Sequence, residues 1–391
     1  MHLPKCEYFV YDIETEDCEL LAAPTRKCDI LRGPPTPSYE DCKKSTSTSG
    51  PISTTTTSEN TMPTTTSSFT TPTERTTTNS LPPTSYYRLM IVGGVDAQGN
   101  RLNDVEAIDP TKKDSNCVKP PGFLYNVIEM VSETYNGNSL VCGGLSDNNK
   151  PTTECYYFQG GQTPWQDGPD RLNFFRYRSS SVLLNDGRIW VTGGDGTSGE
   201  STTSEILNNG HFDMGPVLPE PTQSHCTAVI NSTHAFFAGN GFDPQTQAYL
   251  VETTKEPFRF HELPTMIYKR FGAACSVIID QSHPNDYHYS KLLVAGGDPP
   301  NYSSTEIYSF MDNTWTRGPS LLRGFRFGGY VNYPDHLNSF VLIGGKDATN
   351  NYRKDIMWYN YAKNAFEFLP GEMTIPRGDF GASLALSDDD C

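Results

Sequence analysis

The chain has 391 residues, 19% of them charged and 36% hydrophobic, and a net charge of −16. So acidic a balance argues against a phosphate-backbone partner, which calls for a Lys/Arg excess. No run of about 18 apolar residues is present, so the sequence offers no spanning helix.

The opening, Met1-His2-Leu3-Pro4-Lys5-Cys6, has no apolar core of a secretory leader. Cys6-Glu7-Tyr8-Phe9-Val10-Tyr11 reads as one strand and Cys18-Glu19-Leu20-Leu21 as another, with Cys28 and Cys42 following. Four cysteines allow three pairings, and the residues do not choose among them. Between residues 45 and 80, 24 of 36 residues are Ser or Thr. Such a segment cannot bury enough apolar surface to offset its ordering entropy. Residues 45–85 are therefore expected to form a disordered, mucin-like, O-glycosylated stalk, the alternative being a bare flexible linker.

From residue 86 onward the chain repeats. A β-branched or aromatic strand ends in a glycine pair at Gly93-Gly94, Gly143-Gly144, Gly193-Gly194, Gly296-Gly297 and Gly344-Gly345. A weaker copy reads Gly239-Asn240-Gly241. The first glycines are spaced 50, 50, 46, 57 and 48 residues apart. After each pair comes a short strand, such as Val105–Ile108, Glu205–Leu207 or Glu306–Tyr308. An aromatic residue follows: Trp165, Phe212, Phe260, Trp315 or Phe368. An arginine then leads into a small-residue strand, as in Arg176-Tyr177-Arg178-Ser179-Ser180, Arg270-Phe271-Gly272-Ala273 and Arg326-Phe327-Gly328-Gly329. In the fourth copy Thr222 stands in the arginine's place.

A period near 50 with phased glycine pairs resembles the kelch repeat, over residues 86–391. The resemblance implies an all-β, six-bladed propeller of four-stranded antiparallel blades. Its seam is expected where the strand Arg88–Val92 completes the blade begun by Phe380–Leu386. Closure of this kind removes exposed strand edges. The segment 1–44 resembles the C-terminal half of a PAN/apple-type domain. With no leader visible, that implies a truncated form of a longer secreted protein.

Cys142 ends one strand and Cys155 begins the next in the same blade, an antiparallel arrangement that would bring them within disulfide reach, and a bond between them is expected. Cys117 with Cys391 is a second possible pair. Cys226 and Cys275, on similar inner strands one blade apart, are expected to be buried thiols. Cys6, Cys18, Cys28 and Cys42 are disulfide candidates, and an even count of ten cysteines fits an oxidising compartment. Asn231-Ser232-Thr233 and Asn301-Tyr302-Ser303 are N-glycosylation sequons on expected loops.

No catalytic or metal set emerges. His283 and His288, with Tyr287 and Tyr289, lie in the insertion that lengthens one repeat. They form either a ligand-binding loop or a solvated hairpin tip. Some kelch-like propellers carry a copper-radical site of galactose-oxidase type, but its Tyr–Cys, Tyr and two-His set cannot be placed on this chain. The acidic end Asp388-Asp389-Asp390 lacks the glycine and spacing of a calcium loop.

The arginines carry the functional expectation. Arg176, Arg270, Arg326 and Arg377 recur once per repeat, with Arg178 and Arg323 nearby, and would ring the channel mouth. Arginines hold carboxylates bidentately, and kelch relatives use such arginines to hold acidic peptides. The alternative is structural, each arginine pairing with a carboxylate or carbonyl in the propeller. The expected function is a secreted, non-catalytic protein- or carbohydrate-binding scaffold without a cofactor. A kelch-fold enzyme of copper-radical or sugar-isomerase type, or an intracellular kelch adaptor, is the alternative.

Overall fold

The computed structural model describes residues 7–11, 18–22 and 86–387, apart from 114–116, 197–199, 281, 284–285, 298–299, 301 and 334–338. The chain divides into two units, Met1–Thr77 and Thr78–Cys391. In the first, Glu7–Tyr11 and Cys18–Ala22 pair as an antiparallel hairpin, matching the two strands read from the sequence. Cys6, Cys28, Cys42 and the 45–85 stalk lie outside the described residues.

The second unit is a six-bladed β-propeller. Blade 1 comprises Val131–Tyr135, Asn138–Cys142, Cys155–Phe158 and Gln166–Asp167. Blade 2 comprises Ser180–Leu183, Ile189–Thr192, Ser204–Asn208 and His211–Met214. Blade 3 follows with Cys226–Val229, His234–Ala238, Ala248–Glu252 and Arg259–Glu262. Blade 4 holds Ala274–Ile278, Lys291–Ala295, Thr305–Ser309 and Thr314–Arg317. Blade 5 holds Gly329–Tyr333, Ser339–Ile343, Asp355–Asn360 and Ala365–Glu372.

Blade 6 closes the ring. Gly381–Ser387 is its inner strand and pairs with Tyr86–Val92, which pairs with Val105–Ile108. The seam thus lies between the inner strand and the next. Among the described residues this blade has three strands rather than the expected four. The sequence after Ile108 includes Pro110, Pro120 and Pro121, which have no N–H to give a ladder.

Among the described residues the core is divided rather than single. Six apolar clusters each fill one interface between adjacent blades. The phased aromatics serve them: Trp165, Phe212 and Trp315 are buried, and Phe260 packs from the edge of its cluster. Phe368 does not, being half exposed. Phe366, two residues earlier and further inside the same interface, is the buried ring.

The glycine pairs have one mechanical role. The second residue of each donates its N–H to the carbonyl of the next blade's lead-in segment. The acceptors are Val127, Arg176, Thr222, Arg270, Phe325 and Arg377, at 2.7–2.9 Å. The first glycine lies against the same backbone. A Cβ on Gly193, which has φ +56, would fall 2.2 Å from the Thr222 oxygen. Only glycine admits that approach and that dihedral.

Two disulfides link described cysteines. Cys142–Cys155 joins directly opposed residues of blade 1. Cys226–Cys275 joins blade 3 to blade 4, so the expectation of buried thiols is corrected. The physical reason lies in the interface. Adjacent inner strands present one residue each toward the other, as Ser180 and Thr227 do with hydroxyls 2.7 Å apart. Cys226 and Cys275 hold the corresponding places one interface further on. Cys117 is also disulfide-bonded, and Cys391 lies outside the described residues.

Candidate binding face and central channel

Three of the four arginines expected at the mouth are inside the protein. Arg176 in blade 2 donates from Nε to Glu205 Oε1 at 2.8 Å and from Nη1 to the Gly193 and Thr203 carbonyls. Arg270 in blade 4 repeats this with Glu306, Gly296 and Ser304. Arg377 in blade 6 repeats it with Glu106, Asp104 and Gly93. All three arginine side chains are fully buried. Each buried glutamate also accepts two backbone N–H groups of the lead-in: Asn173 and Phe174 at Glu205, Ile267 and Tyr268 at Glu306, Thr374 and Ile375 at Glu106. The unit ties the lead-in to its own blade's glycine turn, and its cations have no surface left for a ligand. The ligand-binding expectation for Arg176, Arg270 and Arg377 is corrected accordingly.

Arg326 belongs to a different position. In blade 5 the tie is made by Arg323, which pairs with Asp355 and donates to Gly344 O at 2.9 Å. Phe325 occupies the place of Arg176 and Arg270, and Arg326 sits one residue beyond it at the rim. In blade 3, where Thr222 replaces the arginine, Asn240 makes the tie. Its side chain accepts from Gln223 and Phe242 N–H and donates to Pro221 O.

The rim itself is set by a closed collar of backbone hydrogen bonds. Arg178 N–H donates to Glu129 O, Ser224 to Arg178, Gly272 to Ser224, Phe327 to Gly272, Asp379 to Phe327, and Glu129 to Asp379, all at 2.7–3.0 Å. All six residues have left-handed φ between +50° and +64°. The collar contributes one residue per blade to the channel mouth.

The side chains on and around this collar are charged and aromatic. Arg178 pairs with Glu129 at 2.9 Å, and Lys346 with Asp379 at 3.3 Å. Burial pushes both carboxyls above the usual carboxylate range, against the pull of their cations. Arg326 packs over the Tyr302 and Phe327 rings, and Lys346 over Phe327 and Tyr352. Phe271 meets Phe327 edge-on, and Arg178 lies over Tyr177. Asp195 holds in blade 2 the place of Lys346 and accepts from the Tyr177 hydroxyl at 3.0 Å, so Arg178, Arg326 and Lys346 share this rim with Glu129, Asp379 and Asp195, among stacked rings.

Beneath the collar lies a chamber of ≈ 590 Å³ along the propeller axis. Inner strands of several blades line it, with Glu133, Ser180, Ser181, Thr227 and Tyr330 among the lining residues. Tyr330 of blade 5 reaches across to blade 3, its hydroxyl accepting from Thr227 N–H at 3.1 Å. Glu133 is surrounded by protein yet touches the chamber. Burial raises its carboxyl to about 7, against the hydrogen bonds it accepts from the Ser181 hydroxyl and the Thr134 N–H. His225 is held by Thr192 at 2.7 Å, and burial drives it down to about 3.

The remaining expected sites are plainly placed. Asn231 caps its own turn, accepting from Thr233 and His234 N–H, and is partly exposed. Asn301 and Asp388–Asp390 lie outside the described residues. His283 stacks on Tyr289, and His288 lies 2.9 Å from Asp286, on an exposed loop. Among the described residues no group of three or more His, Cys, Asp or Glu could hold a metal ion. Among them, too, no helix is long and apolar enough to cross a membrane.

These contacts and the closed ring of blades define a six-bladed β-propeller. No family model matches the chain. It is similar to Kelch-like protein 35 of Mus musculus, 26% identical over 149 residues. That match takes in 37% of this chain and 24% of the relative, so the chain spans about a quarter of the curated relative's length. The solved structure of YjhT is 14% identical and covers 73% of this chain and 98% of its own, with a TM-score of 0.56. At that identity the likeness shows the fold alone.

Proposed function

We propose that the propeller is a non-catalytic scaffold that binds an acidic, aromatic-bearing protein segment at the collar rim. The observation that carries this reading is the set of three cations, Arg178, Arg326 and Lys346, layered over Tyr177, Phe327, Tyr302 and Tyr352 around one opening. Carboxylates in a ligand would meet the cations, and its rings would stack among the rim's rings. Similarity to a kelch-like protein supports a binding role. The reading includes an extracellular setting, supported by Cys142–Cys155 and Cys226–Cys275 and by the Ser/Thr-rich stretch. The hairpin of residues 7–22 is read with it as part of a PAN/apple-like module.

The test is an array of immobilised Asp/Glu-rich peptides containing Tyr or Trp, with lysine-rich peptides as controls. The wild-type chain should favour the acidic set, and Arg326→Ala with Lys346→Ala should weaken binding at least tenfold while circular dichroism still shows the folded propeller. Equal binding by both proteins would overturn the reading. Mass spectrometry of the naturally produced protein tests the setting, since ten free thiols and a bare stalk would contradict it.

A further inference from the structure

The chamber beneath the collar holds an unmatched acid. Its facing titratable groups are Glu133, Tyr87, Tyr330 and His225 inside, with Glu129, Asp379 and Arg178 at the collar. Arg178 is the one arginine or lysine lining it among the described residues, and that cation already serves Glu129. Lys346 serves Asp379 from outside. Burial leaves His225 neutral. Glu133 has the Ser181 hydroxyl at 3.3 Å, a backbone N–H, and no basic partner in its surroundings. A carboxylate so enclosed costs several kcal/mol unless a cation or proton meets it.

The rest of the lining is rich in hydroxyls. Ser180, Ser181, Thr227 and Tyr330 form one connected patch. Ser132 Oγ, His225 Nδ1 and Glu129 Oε2 also border the chamber, and each is buried without a hydrogen-bond partner in the protein. Groups of this kind can both donate and accept toward a guest. The volume is that of a small-molecule site, in the range of about 300–1,000 Å³.

We infer that the chamber binds a small polyhydroxylated primary amine, its ammonium against Glu133 and its hydroxyls on the Ser/Thr/Tyr patch. The charge singles out an amine from a neutral sugar, and the hydroxyl lining singles out a polyol from a simple alkylammonium. Glu129 and Asp379 are held by their own cations, and among the described residues no group of three or more His, Cys, Asp or Glu gathers to hold a metal ion. Binding of the cation lowers the Glu133 pKa, so complex formation near neutral pH releases protons to the buffer.

The experiment is isothermal titration calorimetry at pH 7 with glucamine and sorbitol, which differ only by ammonium in place of hydroxyl. Glucamine should bind at one site at least tenfold more tightly than sorbitol, with a heat that depends on the buffer's ionisation enthalpy. Glu133→Gln should bring glucamine down to the sorbitol level while its Tm stays at or above wild type. Arg326→Ala alone, which keeps the Lys346–Asp379 pair, should leave glucamine binding unchanged, which separates this site from the rim. Equal affinities for the two polyols, or glucamine binding that survives Glu133→Gln, would overturn the inference.

Discussion

Nη1 of Arg377 donates to the carbonyl oxygen of Gly93 at 3.0 Å, joining positions 284 residues apart. The same guanidinium meets Asp104 and Glu106. The ring is therefore shut twice, by the Gly381–Ser387 pairing with Tyr86–Val92 and by this buried ionic tie. Equivalent ties at Arg176 and Arg270 have no seam to close, which makes Arg377 the one that also couples the two ends of the repeat array.

Removing one partner of such a tie strands a buried charge. Arg270→Ala should cost about 3–5 kcal/mol in urea unfolding, since Glu306 stays enclosed without its cation. Arg326→Ala, at the rim, should cost under about 1 kcal/mol. Arg270→Met combined with Glu306→Gln should recover part of the loss, because the glutamine oxygen still accepts from the Ile267 and Tyr268 N–H groups. Equal losses at Arg270 and Arg326 would contradict the placement of the two residues.

The Cys226–Cys275 bond spans 49 residues of sequence. By loop entropy its removal costs about 4 kcal/mol. Replacing it with Cys226→Ser and Cys275→Thr copies the Ser180–Thr227 contact of the neighbouring interface. The double variant should keep the fold and regain about 1 kcal/mol relative to Cys226→Ala with Cys275→Ala. Guanidinium unfolding of both variants, with the wild type under reducing and oxidising conditions, measures this.

Stability should respond to pH through two chamber residues of opposite sign. The Glu133 carboxyl rises from 4.5 to about 7 on folding. The folded state then holds the extra proton between those values, so stability falls as pH rises through that window, by on the order of 3 kcal/mol. His225 drops from 6.5 to about 3. The unfolded state holds the extra proton there, so stability falls as pH drops from 6.5 toward 3. Glu133→Gln should flatten the loss between pH 5 and 8, and His225→Gln should flatten the loss at acid pH. Urea midpoints across pH 4–8 for both variants test the assignment, and a profile unmoved by either substitution would refute it.

Gly193 and Gly187 separate dihedral strain from collision. Both have positive φ, +56° and +89°, but a Cβ on Gly187 meets nothing within 4 Å. Gly187→Ala should therefore cost about 1–2 kcal/mol from conformation alone. Gly193→Ala adds the collision with Thr222 O and should cost at least twice as much, read as a lower Tm.

The repeat was legible because each glycine pair performs the same backbone task in every blade, and a shared task leaves a phased pattern. The seam at Arg88–Val92 followed from the same phase. The arginines misled because a recurring position was equated with an exposed one. Their carboxylate partners, Glu205, Glu306 and Glu106, were visible in the sequence at the start of each third strand, and that co-recurrence was the available signal. The one-residue offset at Arg326 arose because Phe327 takes the collar position that Gly272 fills in blade 4. The Cys226–Cys275 bond and the Glu133 chamber have no sequence signature. Both depend on which residue of one inner strand faces the next blade, and that is fixed only by packing.

The collar also bears on how such a protein can change its ligand. Its amides and carbonyls are all spent on one another, so the diameter of the opening is fixed by main chain alone. The six positions already carry Glu, Arg, Ser, Gly, Phe and Asp on one geometry. Recognition can therefore be rewritten one side chain at a time, with the frame that presents those side chains left untouched.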